Sequence, residues 1–212
     1  MDFGHGGELV ARSLKAQGVE IIYTLCGGHI APIYDGCMNH GIRIIDTRHE
    51  QAAAHAADAH ARLTRNIGVA VVTAGPGVTD AVTGVANAYQ ARSPMILIGG
   101  AAPLKTKGMG ALQEMPQTQM FETFTKASFT ITATEEIPTK FAEAYHAALS
   151  GRPGPVFIEM PFDILFILLS DDYIYLRGSY PTKLLSGMIL LRYPAKSDSR
   201  KSVPSTHPAP MV

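Results

Sequence analysis

The stretch GVAVVTAGPGVTD, residues 68–80, passes from an apolar run through a glycine-rich turn into a helical pattern. The run GVAVVT is continuously apolar and does not alternate with polar residues, which is typical of a parallel strand covered on both faces. The segment Gly75-Pro76-Gly77 follows it, and a helical pattern extends over residues 78–91. The stretch therefore predicts a buried strand, a tight turn and a helix in immediate succession.

Similar strand-like runs recur along the chain. They are IIYT (21–24), IRIID (42–46), PMILI (94–98), FTIT (129–132) and PVFIE (155–159). Further helical patterns cover residues 7–16, 49–63 and 135–149. This alternation predicts an α/β fold, a mostly parallel sheet with helices on both faces and right-handed crossovers. Because the pattern stops near Leu165, we assign residues 1–165 to this domain and 166–212 to an atypical tail, irregular or disordered.

Composition excludes several classes of partner. The 212 residues have a formal net charge of zero and no basic run, so we expect no nucleic-acid partner. Uncharged stretches are shorter than the ~20 residues that a membrane span needs, and the first residues do not form a secretory signal. The two cysteines, Cys26 and Cys37, cannot build a disulfide framework. We therefore expect a cytoplasmic protein with no membrane partner.

Three histidines on one predicted helix raise the question of a metal site. At about 100° per residue, His55 points roughly 120° away from His49 and 140° away from His60. His49 and His60 share a face but stand about 16 Å apart along the axis. Zinc needs several ligands on one face, so the pattern predicts no metal ligands here.

Two glycine loops suggest a ligand pocket. Gly27 and Gly28 follow the strand IIYT, as Gly75 and Gly77 follow GVAVVT. Ligands of parallel α/β sheets bind at the carboxyl ends of the strands. The loops match neither the dinucleotide fingerprint nor the phosphate-binding P-loop. A purely structural interpretation is that the glycines permit tight turns.

Glu50 is a third element at the same edge, because the strand IRIID leads through residues 47–49 into its helix. Acids are common at a helix start, where the helix dipole favours negative charge. At the mouth of a strand, however, the carboxylate would be partly desolvated. Ala53, Ala57 and Ala61 lie on its side of the helix and leave room for close packing. From the residues alone, both the structural and the functional interpretation of Glu50 stay open.

A set of ordered motifs carries a family resemblance. They are GGHIAPIYDG (27–36), RHEQAA (48–53), TAGPG (73–77), SPMILIGGA (93–101), GALQEMPQ (110–117) and GRPGPVFIEMP (151–161). Together they resemble the pyrimidine-binding domain of thiamine-diphosphate enzymes. The most similar branch is acetolactate synthase-like and includes 2-hydroxyacyl-CoA lyase and oxalyl-CoA decarboxylase. The resemblance extends over about residues 5–165.

The resemblance implies roles for particular residues. Glu50 would bond N1′ of the cofactor's aminopyrimidine and promote formation of the C2 ylid, and Gln113 would reach the reacting centre. The alanines of the Glu50 helix would give the cofactor and a facing subunit room. These two are the expected catalytic residues. The expected cofactor-binding residues are Glu50, Thr73, Pro76, Gly27 and Gly28. Asp80 stands where related synthases often have Asn, and His29 lies near the same mouth without an assigned role.

The resemblance also implies an enzymatic activity, but this sequence lacks one motif that the activity needs. Such enzymes form or cleave C–C bonds of 2-keto acids or 2-hydroxyacyl-CoA substrates through the ylid. Their diphosphate-binding domain holds Mg²⁺ with a GDG motif, which is absent here. We therefore expect this chain to bind only the pyrimidine half of thiamine diphosphate and to be inactive alone. Mg²⁺ is expected only with a partner diphosphate domain, and any FAD would depend on a central domain.

Several interpretations remain beside an acetolactate synthase-like module. The expected partner is a second copy or a subunit bearing the diphosphate domain, as in a two-chain enzyme. The chain could instead be a non-catalytic or regulatory subunit that pairs with a full-length homologue, or a 2-hydroxyacyl-CoA lyase-type half-site. A nucleotide-binding Rossmann protein is disfavoured by the missing fingerprint. The abrupt change at Leu165 favours a reading-frame artefact or splice variant over a split gene.

Overall fold

The structure of the chain is a computed structural model that describes residues 4–169. Its strands, numbered along the chain, are β1 (Gly4–His5), β2 (Ile21–Thr24), β3 (Arg43–Asp46), β4 (Gly68–Val72), β5 (Met95–Ala101), β6 (Ala127–Thr130), β7 (Pro155–Pro161) and β8 (Leu168–Leu169). Its helices are α1 (Gly6–Ala16), α2 (Ala31–Asn39), α3 (Glu50–Thr64), α4 (Pro76–Asp80), α5 (Val82–Ala91), α6 (Gln117–Phe121), α7 (Ile137–Leu149) and α8 (Phe162–Leu165).

The centre of the fold is a six-stranded sheet in the order β3-β2-β4-β5-β7-β6. Every neighbouring pair in it is parallel. The short strands β1 and β8 pair antiparallel with each other outside this sheet. The predicted α/β fold with a mostly parallel sheet is confirmed.

Helices cover both faces of the sheet. Along β4, Val69 and Val71 belong to one apolar cluster, whereas Ala70 and Val72 belong to the other. Such alternation places successive side chains on opposite faces of a strand. Residues of α1, α2 and α7 complete the first cluster, and residues of α3, α4 and α5 complete the second. Because both faces are buried, the strands have the nearly continuous apolar sequences that the pattern indicated.

Some predicted elements need correction. The strand expected at 129–132 is β6 (Ala127–Thr130), an edge strand whose residues are all half-buried, so apolar pattern defines its ends poorly. The helix expected over residues 78–91 begins at Pro76 and is divided at Ala81 into α4 and α5. Helix α2 was not predicted from the sequence.

The predicted boundary at residue 165 stays a prediction. Of the predicted tail, only residues 166–169 are described, and β8 lies within them. The prediction of an irregular tail otherwise concerns residues 170–212, which lie outside the described residues. Between residues 4 and 169, no helix has the length and apolar character required to cross a membrane.

Candidate functional site

The carboxyl ends of β3, β2 and β4 lie side by side at one edge of the sheet, because these three strands are adjacent and parallel. The loops that follow them contain the sequence-predicted residues. Gly27 and Thr73 are in direct contact: a Cβ added at Gly27 would lie 2.3 Å from Cβ of Thr73. The first glycine loop therefore packs on the second, as the sequence predicted for a shared edge.

Glu50 is the first residue of α3 and is buried, with 8% of its surface exposed. His49 caps this helix, because its Nδ1 accepts a hydrogen bond from the backbone N of Gln51 at 3.2 Å. Oε1 of Glu50 lies 3.1 Å from the position a Cβ would take at Gly77. The Glu50 carboxyl group makes no hydrogen bond with any residue between 4 and 169. No fully buried side-chain oxygen of the described residues lacks a partner, so the carboxyl oxygens of Glu50 keep some exposure and are free to bind a ligand.

The alanines of α3 have a different role from the one expected. Ala53, Ala57 and Ala61 are at most 2% exposed, and this chain itself covers them. A Cβ at Gly68 would lie 2.0 Å from the carbonyl oxygen of Ala57, so α3 packs directly on β4. The interpretation that these alanines leave room for a cofactor and a facing subunit is therefore wrong. They allow close approach of the helix to its own sheet.

The turn at Gly75 brings Gln113 to the site. Gly75 has φ 61°, a left-handed conformation that favours glycine, and Gln113 has the same φ value. A Cβ at Gly75 would lie 2.7 Å from the carbonyl oxygen of Gln113 and 2.9 Å from its Cβ. Pro76 follows in the exposed first turn of α4. The predicted residues Gln113 and Pro76 thus flank one turn.

Gly28 and His29 lie in a short helical turn after the first loop. Gly28 is exposed, and a Cβ there would have no neighbour within 4 Å. His29 Nδ1 lies 3.4 Å from Oγ1 of Thr73. Burial lowers the pKa of His29, although a hydrogen bond with the backbone of Leu112 opposes this shift. His29 therefore lies between Thr73 and the loop of Gln113.

The structure adds residues that the sequence did not indicate. Gln117 accepts a hydrogen bond from the backbone N of Gly75 and donates to Oε1 of Glu159, and Oγ1 of Thr130 donates to Oε2 of Glu159. Gln113, Gln117 and Glu159 also line a cavity of about 350 Å³ at the ends of β5 and β7. The one available signal was Glu159, a charged residue within the otherwise apolar run PVFIE.

One group of potential metal ligands occurs among the described residues. His49, Glu50 and Asp80 each offer a ligand atom, and these atoms lie within 4.8 Å of one another. Nε2 of His49 is 3.9 Å from Oδ2 of Asp80. His49 and Asp80 are exposed, and such groups are common without an ion. We assign no ion to it, and the expectation of no metal ligands stays a prediction.

The geometry is that of a ligand site at the carboxyl ends of parallel strands, with a largely buried glutamate whose accessible carboxyl oxygens have no partner among residues 4–169, and with glycine-lined walls. Residues 4–121 match the family described as "Thiamine pyrophosphate enzyme, N-terminal TPP binding domain". The chain belongs to this family, so the resemblance found in the sequence is confirmed. It contains the thiamine-diphosphate-binding domain of an acetolactate synthase-like or 2-hydroxyacyl-CoA lyase-like enzyme.

Similar curated proteins agree with this family. The chain is 54% identical over 162 residues to 2-hydroxyacyl-CoA lyase 2 of Caenorhabditis elegans, which covers 76% of this chain and 25% of that protein. The human 2-hydroxyacyl-CoA lyase 2 is 49% identical over 162 residues, and the matched part is 76% of this chain and 26% of the human protein. The acetolactate synthase large subunit IlvG of Mycobacterium tuberculosis is 43% identical over 168 residues, and the matched part is 79% of this chain and 31% of that subunit. The chain thus spans about a quarter to a third of the length of these relatives.

Proposed function

We propose that this chain binds the aminopyrimidine half of thiamine diphosphate at the mouth formed by β2, β3 and β4. Glu50, Thr73, Pro76, Gly27 and Gly28 are the proposed binding residues. The observation that supports the proposal is Glu50 itself: the residue is only 8% exposed, and its carboxyl oxygens keep some exposure and make no hydrogen bond with residues 4–169. A carboxyl group can share a proton with a ring nitrogen, and glycines on the walls leave room for a flat ring.

Glu50 is the proposed catalytic acid and base of the site. Thiamine diphosphate, when bound, supplies a carbon nucleophile and an electron sink. Glu50 would hold a proton on its carboxyl oxygen, donate it to the pyrimidine nitrogen and take it back. Because Glu50 is the first residue of α3 and His49 caps that helix, the carboxyl group stands on a well-anchored element. Gln113, on the far side of the Gly75 turn, is proposed to contact the substrate.

We propose that the substrate is a 2-hydroxyacyl-CoA or a 2-keto acid. The lyase-type reaction is favoured because the identity is 54% to a 2-hydroxyacyl-CoA lyase 2 and 43% to an acetolactate synthase. We further propose that a diphosphate-binding domain elsewhere in the functional assembly holds Mg²⁺ and the diphosphate. This chain alone is then expected to bind cofactor without turning over substrate.

The cofactor proposal is tested by calorimetric titration of the full chain. Thiamine diphosphate and the free aminopyrimidine fragment are the two probes. Both should bind with similar affinity if only the pyrimidine half is held. Glu50→Gln should weaken both by about tenfold or more, since a neutral amide cannot exchange the proton. Glu20→Gln, at an exposed position away from the site, is the matched control. Equal binding by Glu50→Gln and the unmodified chain would contradict the role of Glu50.

The proposed partner is a second copy or a subunit that bears the diphosphate domain. Supporting this, Met109, Leu112 and Met115 are 77%, 78% and 43% exposed on the loop that carries Gln113. Large exposed apolar side chains in one segment mark an interaction surface. Light scattering of the chain alone, and after mixing with a full-length relative, would detect either assembly. A strictly monomeric chain in both samples, with no turnover of either substrate class, would argue against pairing.

A further inference from the structure

Gln117 connects three parts of the sheet edge through one buried side chain. It is the first residue of α6 and only 1% exposed. Its Oε1 accepts a hydrogen bond from the backbone N of Gly75 at 2.7 Å. Its Nε2 donates to the carbonyl oxygen of Gly100 at 3.0 Å and to Oε1 of Glu159 at 2.9 Å. The amide therefore ties the turn after β4 to the ends of β5 and β7.

The orientation of this amide is determined by its neighbours. Glu159 is 6% exposed, and its Oε2 accepts a hydrogen bond from Oγ1 of Thr130 at 2.6 Å. A carboxylate oxygen and a carbonyl oxygen both require a donor, so Nε2 of Gln117 has to face them. The amide oxygen is then left to face the backbone N of Gly75. A rotated amide would place an oxygen against two acceptors.

The turn at Gly75 determines how far apart Glu50 and Gln113 lie. On one side it precedes Gly77, which faces Glu50, and on the other it contacts Gln113. Gly75 adopts its positive φ freely, whereas the left-handed conformation of Gln113, which contacts the Gly75 turn, persists only when surrounding contacts hold it. The bond from Gly75 to Gln117 is such a contact, and it is buried.

We propose that Gln117 is a positioning residue. By accepting the hydrogen bond from the backbone N of Gly75, it holds Gln113 at a fixed distance from Glu50. This inference rests on the proposed function, because the spacing matters only if both residues serve one ligand. Gln117 itself is not proposed to contact the reacting atoms. Its loss should therefore act on the turn first and on the ligand through the turn.

Three variants separate this role from a general contribution to stability. Gln117→Met keeps the length of the side chain and removes all three bonds. Gln117→Glu keeps an acceptor for Gly75 but places a second carboxylate against Glu159. The double variant Gln117→Glu with Glu159→Gln is the rescue. In it the amide introduced at position 159 can donate to the carboxylate introduced at position 117 and still accept from Thr130, so only the bond to Gly100 is lost.

The matched control is Asn87→Ala. This change removes one partly buried hydrogen bond, from Asn87 to Asp58 at 2.6 Å, between α5 and α3 and outside the site. It should lower thermal stability as Gln117→Met does, without changing the Gly75 turn. If both variants lower the melting temperature by a similar amount, an effect that only Gln117→Met shows is due to the position of the Gly75 turn and not to lower stability.

Two measurements are made on the full chain: hydrogen-exchange protection of the Gly75 amide by NMR, and the Kd for thiamine diphosphate. Gln117→Met, which has no acceptor, and Gln117→Glu, in which repulsion from Glu159 moves the acceptor away from Gly75, should each lower the protection and raise Kd by about tenfold, and the double variant should recover most of both. Asn87→Ala should leave the Gly75 protection and the Kd within about twofold of the values of the unmodified chain. Protection and Kd equal to those of the unmodified chain in Gln117→Met would overturn the inference.

Failure of the proposed function would look different. An unmodified chain that binds no thiamine diphosphate refutes cofactor binding. In that case, the Gly75 protection and the Gln113 chemical shift still decide whether Gln117 fixes the turn. Unchanged values for both in Gln117→Met would refute the inference on its own terms.

Discussion

Glu50 and Gly77 face each other so closely that a Cβ at position 77 would lie 3.1 Å from Oε1 of Glu50 and 2.8 Å from Cγ2 of Thr73. Gly77→Ala should push the carboxyl group or the threonine out of place. We expect a loss of about 1–3 kcal/mol of stability from overpacking and about tenfold weaker binding of thiamine diphosphate. Denaturant unfolding and calorimetric titration measure the two effects.

Gly154→Ala is the control for this substitution. A Cβ at Gly154 would meet only the Cγ and Cδ atoms of Lys126, at 3.2 Å, and a flexible side chain can move aside. We expect cofactor affinity to be unchanged in this variant. If Gly77→Ala bound the cofactor as well as Gly154→Ala, Glu50 would not be part of the binding site.

A second prediction concerns acid stability and Glu8. Burial would raise the pKa of Glu8, but hydrogen bonds from His40, at 2.5 Å, and from Asn39 outweigh it and lower the pKa below 4.5. A lowered pKa means that Glu8 stabilises the fold fully above pH 4.5 and less as pH falls through its lowered pKa. Glu8→Gln should cost about 2 kcal/mol at neutral pH and flatten the decline of stability in acid. Urea unfolding at a series of pH values tests both. If stability fell with decreasing pH equally steeply in Glu8→Gln and in the unmodified chain, Glu8 would not be the cause of the decline.

A third prediction concerns the loop that carries Gln113. The carboxylate of Glu114 accepts hydrogen bonds from the backbone N of Gly108, Gly110 and Ala111. The bonds from Gly108 and Ala111 are the largest causes of its lowered pKa. The loop should therefore be held above pH 4.5 and released as pH falls through the lowered pKa.

Glu114→Gln should reproduce this release at neutral pH. We expect the protection factors of the Gly108 and Ala111 amides to fall, because an amide is a weaker acceptor than a carboxylate. Glu135→Gln, at an exposed position, is the control. Amide protection that does not respond to Glu114→Gln would show that other contacts hold the loop.

The two cysteines should differ in reactivity. Cys37 is fully buried in α2, and burial together with the charge of Glu8 raises the pKa of its thiol to about 12. Cys26 is exposed in the loop before Gly27. Ellman's reagent at neutral pH should therefore modify one thiol quickly and the second only on unfolding. Thiamine diphosphate should slow the fast reaction if it covers Gly27. Two fast thiols, or a Cys26→Ser variant that keeps its fast phase, would contradict this assignment.

The central elements could be predicted from the sequence because they are strongly patterned. Strand β2 has the predicted bounds, residues 21–24, and α3 (Glu50–Thr64) differs from its prediction by one residue at each end. The sequence also predicted that Glu50 and the two glycine loops would share an edge. Apolar runs and helix starts are local properties, so a local pattern is sufficient to find them.

The missing parts depend on contacts between distant residues. Helix α2 escaped prediction because Pro32 and Gly36 are weak helix signals, and both are accommodated where α2 packs closely on Gly7 of α1. Gln117 and Glu159 are 42 residues apart. They meet because α6 packs against β7, and which helix packs on which strand is not contained in a local pattern.

The close packing of α3 on β4 has a further consequence for the proposed ligand. A helix faced with alanines has few rotatable side chains between itself and the sheet, so it has little freedom to shift or tilt. The conformational entropy of placing Glu50 is therefore lost during folding and not during binding. A planar ligand would meet a carboxyl group on a preorganised helix, and binding would have to fix only the ligand and the Glu50 side chain.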